Sequence, residues 1–106
     1  MKKASFKITI IRPNPGEQEV NGWIGRQFGT HKESGIYVVT HLRTGARVSW
    51  FNYLKNARDF IDRMEKAAWK QTWDTNDVQA ITKVNGPKTK AIEAIARGIQ
   101  GVVIPE

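Results

Sequence analysis

The chain has 106 residues, enough for one hydrophobic core and too few for two, and with 40% hydrophobic and 25% charged residues its composition is that of an ordinary globular domain. It has no cysteine, which excludes disulfides, thiolate catalysis, zinc ribbons and iron–sulfur clusters. Seventeen Lys and Arg against ten Asp and Glu leave a formal charge of +7, a balance that favours a polyanionic partner.

From Ala4 to Phe51, apolar positions recur at a spacing near two, and the pattern predicts four short antiparallel strands. Phe6, Ile8 and Ile10 alternate with Lys7 and Thr9 in the first, which ends at Pro13-Asn14-Pro15-Gly16. The second spans Val20 to Phe28, with Gly22 and Gly25 beside Trp23 marking a bulge or a close backbone approach. His31 falls in the loop that follows. Gly35 to Leu42 and Ala46 to Phe51 form the clearest hairpin. A two-residue turn would mix Arg47 into the apolar face. A three-residue Arg43-Thr44-Gly45 loop instead sets Val38 opposite Trp50, Thr40 opposite Val48 and Leu42 opposite Ala46, with Gly45 at the left-handed position. That register sends Trp50 to the core and projects Tyr37, Val39, His41, Arg47 and Ser49 outward.

Residues 52–71 change to a helical period, with Leu54, Ala57, Ile61, Met64 and Ala68 on one stripe, Asn52 or Asn56 available as a cap, and the pairs Asp59–Arg63 and Asp62–Lys66 on the wet side. Asp74-Thr75-Asn76-Asp77 reads as a fresh start, Asn85-Gly86-Pro87 as a break, and Lys88 to about Ile99 as a last helix, so 74–101 becomes a helical hairpin with Val102-Val103-Ile104 as an extended tail. The expected fold is thus a single α+β domain over 1–106. A small antiparallel sheet of three to four strands (1–51) packs on a long helix (52–71), followed by one or two shorter helices.

Catalysis finds little material. His31 and His41 have no HxxxH or HExxH spacing, Asp59 and Asp62 already have basic partners, Ser34 and Ser49 lack a nucleophile-elbow setting, and Gly22-Trp23-Ile24-Gly25 is not a phosphate loop. The expectation is a non-enzyme without metal or cofactor. No apolar run approaches the roughly 20 residues of a spanning helix, and Met1 to Phe6 lacks a signal-type stretch, so a cytoplasmic protein with no membrane partner is expected. Charge is concentrated in the sheet half: residues 1–50 hold eight Lys and Arg against three acidic residues, and 51–106 nine against seven.

Gly35-Ile36-Tyr37-Val38-Val39, Thr44-Gly45-Ala46-Arg47-Val48-Ser49, Phe51, Ala57 and Phe60-Ile61 together resemble the strand–hairpin–helix, arm-type DNA-binding domains at the N-terminus of phage integrases. The resemblance covers about a third of the chain. It implies a sheet set against the major groove with contacts from Tyr37, Arg43 and Arg47, in an accessory or regulatory protein, since no recombinase catalytic domain follows. Ile81 to Ile92, with Gly86-Pro87-Lys88-Thr89, is similar to the second half of a helix–hairpin–helix motif, which implies phosphate contacts from the Gly86 amide and Lys88. A capped helix starting after Pro87 accounts for the same residues. Four strands followed by a helix is also the element order of coactivator-type domains that bind single strands.

Two function classes compete. The first is a small basic nucleic-acid-binding protein of phage or mobile-element type, acting on single- or double-stranded DNA through Lys7, Tyr37, His41, Arg43, Arg47, Ser49, Lys88 and Lys90. The second is a protein-binding module, such as a phage-encoded inhibitor or adaptor that engages an acidic host protein through Trp23, Trp73 and Val103. Either suits a monomer or a homodimer.

Overall fold

Five strands, not four, come first in the chain. A computed structural model describes residues 1–10, 14–67, 73 and 77–105. It contains β1 (Lys2–Ile10), β2 (Gly16–Ile24), β3 (Phe28–Glu33), β4 (Ile36–His41), β5 (Arg47–Phe51), α1 (Leu54–Lys66) and α2 (Val78–Ala96). The α+β class is as expected. The extra strand arises because the expected second strand ends at Ile24 and a new one begins at Phe28, which takes His31 out of its expected loop and into β3. The strands form one antiparallel meander in the order β1-β2-β3-β4-β5.

The sheet is not flat. β1 and β2 pair along their whole length, from Lys2↔Ile24 to Ile10↔Gly16, but β2 pairs with β3 over just Trp23↔Thr30 and Ile24↔Gly29. The β1–β2 hairpin therefore swings out of the plane and folds over one face of β3–β5. Gly22 lets the strands cross closely, since a Cβ there would lie 2.0 Å from the Thr30 carbonyl oxygen. At the far end Thr9 donates its amide to the Gly45 carbonyl (2.8 Å) and its hydroxyl to the Thr44 carbonyl (2.9 Å), which docks β1 on the β4–β5 turn. Gly45 has φ +72°, and a Cβ on it would meet the Thr9 hydroxyl at 2.6 Å, so both the turn and the docking require glycine.

The opposite face carries the helices. Phe28, Val39 and Phe51 project from the sheet onto Ala57, Phe60, Ile61 and Met64 of α1 and onto Ile81, Ile92 and Ala96 of α2. The stripe on α1 is the one the helical period predicts, and the pairs Asp59–Arg63 (2.9 Å) and Asp62–Lys66 (3.1 Å) form on its wet side. Its start is capped by neither asparagine: Tyr53 is the N-cap, and Asn56 instead donates to the Ala96 carbonyl (2.8 Å), tying α1 to the end of α2. The expected stretch of this helix over 68–71 lies outside the described residues, as do Trp69 and residues 74–76.

The helical hairpin expected over 74–101 is a single helix of 19 residues with Pro87 inside it. Proline removes one backbone donor and strains the preceding turn, but Ile81, Asn85, Thr89, Ile92 and Ala96 form one buried stripe straight through Gly86-Pro87. Burial of that stripe overrides the local break. The helix–hairpin–helix turn is therefore absent, and the Gly86 amide lies inside a helix. Asp77 caps the start by accepting from the Ala80 amide at 3.0 Å. Nothing among the described residues is a helix long and apolar enough to cross a membrane.

Candidate nucleic-acid interface

The β4–β5 register explains where each candidate side chain goes. Val38↔Trp50 and Val39↔Ser49 pair as expected, but a bulge then sets Thr40 opposite Arg47 and leaves Val48 as the extra residue. The faces are the reverse of those expected. Tyr37, Val39, His41 and Ser49 point toward the helices, with Val39, His41 and Ser49 buried there, while Trp50 is 44% exposed and outside the main core. The physical reason is that β3 and β4 are covered on both faces, so alternation on β4 offers two apolar sides. Phe28 and Phe51, which share a side with Val39, decide which one the helices take.

His41 is a partnered structural group on this helix face. Its Nδ1 lies 2.9 Å from the Thr44 hydroxyl, which also accepts from the Ala46 amide at 3.2 Å, and its ring packs 5.1 Å from Trp73 and 5.8 Å from Phe28. The hydroxyl can give its proton to Nδ1, leaving Nε2 to donate to the Trp73 backbone. Burial lowers the His41 pKa below its ordinary value; the Trp73 backbone opposes that shift and Arg43 adds to it. Trp73, expected at a protein interface, is 7% exposed and part of the core.

Beyond His41, α2 leaves the sheet and a cleft of about 260 Å³ opens between the β4–β5 hairpin and the helix. At its inner end the helix is bolted down: Ser49 donates to Glu93 (2.6 Å), Arg97 pairs with Glu93 and donates to the Trp50 carbonyl, and its guanidinium lies 5.1 Å over the Trp50 ring. Arg47 from the hairpin and Gly86, Thr89 and Lys90 from α2 all line the cleft. The Thr89 hydroxyl is buried without a hydrogen-bond partner among the described residues. Glu93, the acid in this cleft, is already engaged, so the balance of free charge there is positive.

Of the eight residues expected to meet nucleic acid, the fold brings His41, Arg47 and Lys90 to this cleft. Ser49 stands behind it, held to Glu93. Arg43 sits on the adjoining exposed turn. Lys88 is half-buried on α2 outside the lining, and Lys7 lies on the β1–β2 hairpin beside Glu17 at 3.8 Å. Tyr37 belongs to a separate surface with Trp23 (6.4 Å between rings) and Lys32, whose ammonium lies 5.9 Å from the Tyr37 ring. Thr89 and Gly86 carry no signal in the sequence as cleft residues; only the continuous helix exposes them together.

Among known proteins, no family model, curated sequence or solved structure matches the chain. Among the described residues no three His, Asp or Glu side chains gather as a metal-binding set.

Proposed function

We propose that the chain is a small, non-enzymatic nucleic-acid-binding protein of the accessory type carried by phage and mobile elements, and that it takes backbone phosphate into the cleft between the β4–β5 hairpin and α2. The observation that carries this reading is that Arg47 and Lys90, from the two halves of the chain, line one cleft with the Thr89 hydroxyl, which has no hydrogen-bond partner among the described residues. Two cations and a hydroxyl donor are the chemistry a phosphodiester needs. The net charge of +7 supplies long-range attraction, and Arg43 on the exposed turn extends the basic rim.

The test is fluorescence anisotropy of labelled single- and double-stranded DNA at about 50 and about 200 mM salt. Binding should weaken by orders of magnitude between them, and replacing Arg47 and Lys90 together with Ala should lower the salt slope by about two. A slope unchanged by the double replacement rejects the cleft.

A second reading, a module that binds an acidic protein, is favoured by one observation. Ile99, Val103 and Ile104 are exposed in the segment after α2, Val103 at 83%. Such residues act as apolar anchors when a partner covers them.

A further inference from the structure

The β1–β2 hairpin roofs a second groove on the other side of Arg47. Its volume is about 660 Å³, within the roughly 300–1,000 Å³ of small-molecule sites. Ile8 and Ile10 of the hairpin and Val38 of β4 supply aliphatic surface to the lining, against which a flat ring can pack. Among the polar side chains of the lining, His31 is the one with unpaired ring nitrogens. It is 4% exposed, neither ring nitrogen has a hydrogen-bond partner among the described residues, and its ring packs edge-to-face with that of Phe6, 6.0 Å between centroids.

Leaving both nitrogens of a buried imidazole unpaired is costly, and a groove alongside means that the missing partner can come from outside. A neutral imidazole offers one donor and one acceptor, and the Glu33 carboxylate, also in the lining, adds an acceptor. That donor and acceptor set matches the edge of a heteroaromatic ring. Glu33 also disfavours an anion in this groove, whereas Arg47 lines both this groove and the phosphate cleft. Because Arg47 lines both, a phosphate in the cleft and a base in the groove would flank the same guanidinium.

We infer that the groove beneath the β1–β2 hairpin holds an unpaired nucleobase between Ile8, Ile10 and Val38 with its edge on His31, so that the protein's substrate is single-stranded nucleic acid. The inference rests on the phosphate reading of the neighbouring cleft. A base that is stacked and paired in a duplex cannot enter, so discrimination against duplex follows from the roofed groove itself.

The experiment is an NMR titration of the intact chain that follows the ring signals of His31 and His41 separately. Three probes are used: a mixed-sequence single strand of ~12 nucleotides, an abasic strand of the same length, and the corresponding duplex. The expected result is that His41, beside the phosphate cleft, moves with both single strands, that His31 moves only with the strand bearing bases, and that this strand binds about tenfold more tightly than either other probe. In His31→Phe, which fills the site without hydrogen bonds, the base-bearing strand should bind as weakly as the abasic one. Because that variant alters a buried position, the titration of the unaltered protein carries the decision. Equal binding of all three probes with His31 unmoved overturns the base pocket and leaves the phosphate cleft standing. If no strand binds, titration with the four free nucleosides decides: movement of His31 retains the pocket and rejects the cleft, and no movement rejects both.

Discussion

His41 and His31 are both buried near the middle of the same sheet, but they face opposite sides of it. His41 lies among the aromatic rings under the helices, with Thr44 and the Trp73 backbone on its two nitrogens. His31 lies under the β1–β2 hairpin, beside an open groove, with no hydrogen-bond partner on either nitrogen among the described residues. The helix face behaves as a closed core in which polar atoms are satisfied internally. The hairpin face is roofed without being filled. A protein keeps an unsatisfied polar group at low cost only where something else completes it, and this difference is what separates a packing residue from a binding residue of the same type.

The largest effects should distinguish the two faces by packing alone. Phe28 is fully buried against Trp73 and His41, so Phe28→Ala should cost about 3–5 kcal/mol in urea unfolding. Ile8 is also buried but lines the groove, and Ile8→Ala should fall at the low end of its class, about 2 kcal/mol. Equal losses at the two sites would mean that the hairpin is packed as tightly as the helices and that the groove closes in solution.

The histidines should separate next. His41→Phe removes two hydrogen bonds and leaves the Thr44 hydroxyl without its ring partner, a loss of about 1–3 kcal/mol. His31→Phe removes none and has the groove to expand into, so its stability should stay within about 1 kcal/mol of the parent. A large loss in His31→Phe would reveal a hidden partner.

Acid should weaken the fold through both rings. The His31 pKa lies below the ordinary 6.5, first because burial disfavours the imidazolium; Glu33 opposes the shift and Arg47 reinforces it. His41 is lowered in the same direction. As pH falls below about 6.5 the unfolded chain takes up protons that the native chain refuses, so stability declines from there until pH passes the native-state values. The decline should be shallower in His31→Phe, read as urea midpoints between about pH 7 and pH 5. If nucleic acid occupies the groove, its presence should alter the His31 contribution and not the packing effect of Phe28.

Legibility in the sequence followed how many faces of an element are buried. The α1 stripe through Ala57, Ile61 and Met64 and the Val38↔Trp50 register were both readable, because one periodicity and one turn residue each had a single good solution. The face of β4 was not readable, because Ile36 and Val38 on one side and Tyr37 and Val39 on the other are equally apolar and both sides are covered. The continuity of α2 was hidden by polar residues, Asn85 and Thr89, occupying two core positions beside Gly86-Pro87. For the candidate site, the cations Arg47 and Lys90 stood out by charge, whereas their meeting depends on that continuous helix. His31 looked like a loop residue because Gly29 and Gly35 bracket it, and at its own position the strand pairs only on the β4 side, with Val38.

The smallest expected effect tests the cleft without touching any charge. Gly86 sits in the interior of α2, and a Cβ added there meets nothing within 4 Å, because the cleft lies beside it. Helix propensity favours Gly86→Ala by about 0.5–1 kcal/mol, but the Pro87 ring crowds a Cβ on the helical residue before it, so the net change in stability should stay within about 1 kcal/mol. A methyl group leaves most of the cleft open, so DNA affinity should be nearly unchanged, whereas Gly86→Leu should retain stability and lose phosphate-dependent binding by filling the space between Arg47 and Lys90. If Gly86→Leu binds as well as the parent at every salt concentration, phosphate does not enter between the hairpin and the helix. The basic rim around Arg43 then acts as a surface rather than as a site.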